Sequence, residues 1–142
     1  MTKNIFDSKR SVFKITDIGS TSRDLSAYVT EVTGLPGKVG LAVVTAFADG
    51  GATFVRTLPE GEFEVSFRWT DDANMVDATL GGLYNSETAT AFQYGPRGSA
   101  TGKVKYSGVC FLDDYEITSR VGDKISARAV FQVNGAVTKG VF

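Results

Sequence analysis

The sequence predicts a mostly β protein, a β-sandwich or partly closed barrel of about eight short strands with one flanking α-helix. Apolar and polar residues alternate in several segments, most cleanly over 62–69. There Phe63, Val65, Phe67 and Trp69 take one face and Glu62, Glu64, Ser66 and Arg68 the other. Sixteen glycines against three prolines supply turns between short segments. Only the stretch after Trp69 changes to a helical period.

In chain order, residues 1–11 are polar, with Ile5 and Phe6 as the sizeable apolar side chains, and read as an arm that a partner could order. Val12 to Thr16 reads as a first short strand and Gly19 to Ser22 as a turn. Arg23 to Thr33 is rich in β-branched residues and predicts a strand in which Leu25, Ala27 and Val29 share a face. Gly34-Leu35-Pro36-Gly37 breaks it, with Pro36 and Gly37 suited to the centre of a type II turn. Leu35 to Leu58 then predicts a long hairpin or extended loop around the glycine turn ADGGAT.

After the strand at 62–69, Thr70 or Asp71 can cap a short helix that puts Val76, Leu80 and Leu83 on one face. Gly81-Gly82 weakens its end. Thr88 to Tyr94 predicts another strand. Lys103 to Leu112 and Asp114 to Ser119 predict two more around a bend. Lys124 to Val133 predicts a further one, with Ile125, Ala127, Ala129, Phe131 and Val133 on its apolar face. At 142 residues the chain fits one domain. We divide it into an N-terminal arm, 1–15, and a single β domain, 16–142.

Composition narrows the chemistry. Histidine is absent, which excludes Ser-His-Asp and Cys-His catalysis and the common histidine-bearing zinc sites. The single cysteine, Cys110, lies in the apolar run Val109 to Leu112 and reads as a buried, inert thiol. A net charge of −1 gives no basic surface of the kind that coats nucleic acid. The N-terminus lacks the features of a signal peptide and no apolar run is long enough to cross a membrane. The expectation is a soluble protein made in a reducing cytoplasm, without enzyme activity, cofactor, metal or membrane partner.

Three motifs have a functional and a plain reading. GSATGKV, from Gly98, resembles a phosphate loop, but one residue too few separates its glycines and Val104 stands where a hydroxyl is needed. It reads as a turn. The pairs Asp71-Asp72 and Asp113-Asp114 read as a helix cap and a polar turn rather than metal ligands. The acidic row Glu62 and Glu64 is either a solvated sheet face or the wall of a channel that DNA slides past, where repulsion of phosphate is useful.

The last third carries a resemblance. FQYGPRGSATGKVKYSG from Phe92, then VGD, FQVNGAVT and GVF ending at Phe142, is similar to the tail tube proteins of long-tailed bacteriophages. Weaker similarity extends through DLSAYVT from Asp24, GLPG from Gly34, the Asp71-Asp72 corner and LGGL from Leu80. The first twenty residues show no match.

The resemblance implies a structural virion protein that forms stacked hexameric rings, a conduit for genome delivery. An inner sheet from each subunit would join its neighbours in a continuous barrel around the lumen. It implies Ile5, Phe6, Val39, Leu41, Val43 and Phe47 as inter-ring contacts, Glu62 and Glu64 as lumen-facing acids, and Val137 and Phe142 at a subunit edge. The implied partners are further copies of the chain, other tail proteins such as the tape measure and tail terminator, and DNA in transit without specific binding. The implied location is the virion tail, after synthesis in the host bacterial cytoplasm. The alternative is a capsid decoration (cement) protein with a related β-sandwich.

Overall fold

The computed structural model describes residues 8–37, 40–46, 50–57 and 61–142. Among these residues there are ten strands, where about eight are expected: β1 (Val12–Thr16), β2 (Ser22–Asp24), β3 (Val29–Thr33), β4 (Leu41–Val43), β5 (Phe54–Arg56), β6 (Glu62–Arg68), β7 (Thr90–Gly95), β8 (Val104–Thr118), β9 (Ser126–Val133) and β10 (Thr138–Val141). One helix, α1 (Val76–Leu83), lies between β6 and β7. The main sheet runs β2-β1-β7-β8-β9-β6-β3, with β10 also on β8, while β4 and β5 form a separate two-stranded sheet. Every pairing is antiparallel.

The 15-residue β8 makes the sheet a sandwich. Its first part pairs with β7 as far as Cys110 and with β10, and its second part, from Cys110 to Thr118, pairs with β9. One layer is therefore β2, β1, β7, the start of β8 and β10; the other is the end of β8, β9, β6 and β3. The barrel does not close, because β3 and β2 are not paired with each other.

Phenylalanines fill the space between the layers. Phe63 of β6 lies 4.7 Å from Phe92 of β7, 4.9 Å from Phe131 of β9 and 6.2 Å from Phe13 of β1, between ring centroids. Each is buried. Val76, Leu80 and Leu83 of α1 join this core, as the helical period predicts.

Several expectations are corrected. Arg23 to Thr33 is two strands, because Tyr28 N–H donates to Leu25 C=O in a turn between β2 and β3. Leu25 is buried, but Ala27 is exposed. Phe13 and Ile15 are core residues, so the part of the expected arm from Val12 onward belongs to the sheet. Asp71 caps no helix: α1 starts at Val76 after Met75, which makes no side-chain cap. The preceding loop is held by Met75 N–H to Asp72 C=O and Asp77 N–H to Thr70 C=O. The two strands expected around Asp113 are one, since a bulge between Leu112 and Asp114 absorbs the bend. Ile125 precedes β9 and is exposed, off the buried face it was expected to share. Pro36 follows a cis peptide bond, and Gly37 has the positive φ, 97°, expected of it.

Candidate functional site: an open four-stranded sheet

The end of β8, β9, β6 and β3 form a four-stranded unit with both outer edges unpaired among the described residues. Beyond Cys110, β8 pairs only with β9, and β3 pairs only with β6. Four antiparallel strands make β3 run opposite to β8. A β3 edge set against the β8 edge of a second copy would pair antiparallel, so copies can join head to tail and close into a ring.

Beside the β3 edge lies a cleft of about 390 Å³ between β1 and β3, lined by Ser11, Val12, Val29, Glu31, Val32 and Tyr94 among others. On the β8 edge Ile117 is 46% exposed. Two residues beyond Tyr115, it shares the core-side face of the strand. One edge thus offers an apolar side chain, and the other a cleft of mixed lining, in which Val12, Val29, Val32 and Tyr94 stand beside Lys9, Ser11, Ser26, Thr30 and Glu31.

The outward face of the unit is acidic. Register places Glu31, Glu62, Glu64, Asp114 and Glu116 on it, against Arg68 and Arg128. Arg128 joins three strands. Its Nε donates to Glu64 Oε1 at 2.5 Å, and its Nη1 lies 3.5 Å from Asp114 and 3.4 Å from Glu116. The hydrogen bond and charge of Glu64, then the charges of Glu116 and Asp114, raise the Arg128 pKa above its ordinary value. Glu64 is therefore a partly neutralised acid, while Glu62 is exposed at the start of β6.

The remaining implied residues fall elsewhere. Leu41 and Val43 lie on β4, exposed with Val44, Phe54 and Val55, so the small sheet presents an apolar surface. Ile5, Phe6, Val39 and Phe47 lie outside the described residues. Val137 packs partly buried against the core just before β10. Phe142 seats its ring on Gly95, with Lys14 and Lys105 ammonium groups 5.8 and 5.4 Å from the ring centroid.

Only glycine fits at position 95: an added Cβ would come 2.6 Å from Gly98 O and 2.7 Å from the Phe142 ring. Gly95→Ala is expected to cost about 1–3 kcal/mol, read as a lower urea midpoint. Adding Phe142→Ala is expected to recover only part of that loss, because the Gly98 carbonyl stays in place.

A chain of hydrogen bonds ties α1 to the unit. Trp69 Nε1–H donates to Tyr115 Oη at 3.1 Å, and Tyr115 O–H donates to Asp77 Oδ1 at 3.2 Å. Burial pushes the Tyr115 phenol up from 10.0 to about 12, with the Trp69 bond opposing and Asp77 adding to the rise. Burial likewise pushes the Cys110 thiol from 9.0 to about 12.

Both groups are neutral in folded and unfolded chains at low pH. As pH rises past 9.0 and 10.0, the unfolded chain ionises first. Stability is fully present below pH 9.0 and falls until pH passes about 12. Urea midpoints measured over this window are expected to decline, and Tyr115→Phe is expected to flatten the part above pH 10.0.

The edges, the cleft and Arg128 escape the sequence reading. A usable signal for Arg128 is its place in the outward row of β9, one strand from the acidic row of β6.

No family model matches the chain, and no curated protein is significantly similar to it. Solved structures do match. A chain from the tail of an empty gene transfer agent particle, with C6 symmetry, superposes with a TM-score of 0.74 at 11% identity, covering 96% of this chain and 100% of that one. The tail tube of SPP1 gives 0.76 at 12% identity, covering 97% of this chain and 80% of that one. The fold is that of a tail tube protein. The SPP1 Dit hub protein shares it more loosely, at 0.52 and 16% identity over 88% of this chain and 50% of that one.

Among the described residues, no helix is long and apolar enough to cross a membrane.

Proposed function

We propose that this chain is a phage tail tube subunit, a structural virion protein that forms hexameric rings and stacks them into a conduit for genome delivery. The observation that carries this reading is the four-stranded unit with one antiparallel-compatible edge on each side. Pairing β3 of one copy with β8 of the next removes both open edges, which otherwise invite uncontrolled association. It also places Ile117 against the cleft of the neighbour. The C6 symmetry of the gene transfer agent tail supports six copies per ring.

In such a ring the outward face of the unit, with Glu62 and Glu64, lines the lumen and repels the DNA backbone. The exposed β4–β5 sheet, through Leu41 and Val43, reaches the next ring, as do Ile5, Phe6, Val39 and Phe47. Val137 and Phe142 lie at a subunit edge. The subunit is made in the host cytoplasm, catalyses no reaction and meets the tape measure and terminator proteins in the virion tail.

Electron microscopy of the concentrated protein tests this. Hollow tubes or rings are expected. Monomers or trimers that persist with virion components added would favour the capsid decoration reading instead.

A further inference from the structure

We propose that the hairpin-tip end of the outward face, where β8 turns into β9, is a binding site for phosphate groups. A second concavity, of about 360 Å³, opens there, lined by the hydroxyl residues Thr30, Ser66, Thr118 and Ser126 and by Arg120, Lys124 and Arg128, with Asp123 as the one acid. The hairpin turn sets the first two cations at its rim. Asp123 N–H closes the turn onto Arg120 C=O at 3.2 Å, and Gly122 takes the φ of 80° that a type II turn needs at its third position.

The two rim cations are available. Arg120 and Lys124 are exposed, and neither side chain has an ion pair among the described residues. Arg128, by contrast, is held by its three carboxylates. Asp123 turns its carboxylate back onto the turn, accepting the Lys124 N–H at Oδ1, 2.8 Å away.

Two exposed cations over the hydroxyl groups of Ser66, Thr118 and Ser126 suit a tetrahedral anion, which takes charge-assisted bonds from the rim and neutral ones from the floor, while the Thr30 hydroxyl already donates to the Ser66 carbonyl at 3.2 Å. The chain's net charge of −1 conceals this local inversion on a face that is otherwise acidic.

The phosphate can be a free ion or part of a nucleic acid backbone. Anion binding stands apart from the tube reading, and only the nucleic acid source rests on it. In a tube, the site would repeat around the lumen as spaced weak contacts on a repelling wall.

The test is an amide-resolved NMR titration of the full chain at low salt, first with inorganic phosphate and then with a short duplex DNA. Shifts are expected over 118–128 and at Thr30 and Ser66. Arg120→Ala/Lys124→Ala is expected to weaken phosphate binding at least tenfold while leaving the remaining amide spectrum unchanged. For DNA, the same variant is expected to reduce the slope of log affinity against log salt by about two.

Response to phosphate but not DNA supports the site with a free-ion source. Response to both supports the backbone source. No shift in this region with either probe, or shifts that survive in the double variant, would overturn the proposal. Tube formation is scored separately, so failure of the anion site and failure of the tube reading are distinguishable.

Discussion

Replacing Phe63 with alanine is expected to cost about 3–5 kcal/mol of stability, enough to threaten folding of a domain whose whole margin is about 5–15 kcal/mol. Phe63 is fully buried and contacts rings from three other strands: Phe13, Phe92 and Phe131. Those strands belong to both layers of the sandwich. Truncation removes the transfer energy of one ring and also leaves a cavity between the layers, which relaxes only in part. The aromatic pairs add about 0.5–1.5 kcal/mol each beyond area burial. Urea denaturation followed by Trp69 fluorescence reads the loss. Phe63→Leu fills most of the volume and is expected to lose less than half as much. Equal loss in both variants would place the cost in local strand propensity rather than in packing between layers.

The same residue marks what the sequence makes legible. Over β6 a strict alternation predicts both the strand and its buried face, because a strand with one face in the core and one in solvent has no other pattern open to it. The helix is legible from Val76, Leu80 and Leu83 for the same reason. Its start is not, since two adjacent aspartates look like a cap when the backbone bonds of the loop already do the holding. Asp113-Asp114 misleads in a related way. A polar pair suggests a turn, whereas the long strand β8 carries it through as a bulge.

Edges and charge networks are harder still. An edge is defined by the partner a strand lacks, and periodicity describes only the strand itself. The Arg128 cluster joins positions as far apart as Glu64 and Arg128, which become neighbours only when β6 pairs with β9. The acidic row at Glu62 and Glu64 is readable from the sequence, but its partial neutralisation is not.

Substituting Ile117 with glutamate is expected to abolish ring assembly while leaving the subunit folded. In the single chain Ile117 is already 46% exposed, so a polar replacement should change the stability of the isolated domain by less than about 0.5 kcal/mol. In the proposed ring the same side chain enters the neighbour's cleft among Val29, Val32 and Tyr94, near Glu31. A carboxylate there would lose hydration and meet the like charge of Glu31, while Lys9, the one cation of the lining, already has an interaction of its own. That penalty is several kcal/mol at each of the six seams of a ring, and it acts in every copy. Ile117→Leu keeps the apolar contact and is expected to assemble as the parent chain does. Sedimentation velocity distinguishes rings from monomers, and urea midpoints verify that the subunit is intact. Rings that form undiminished in the Ile117→Glu variant would place the seam elsewhere and remove the pairing of β3 with β8 from the reading.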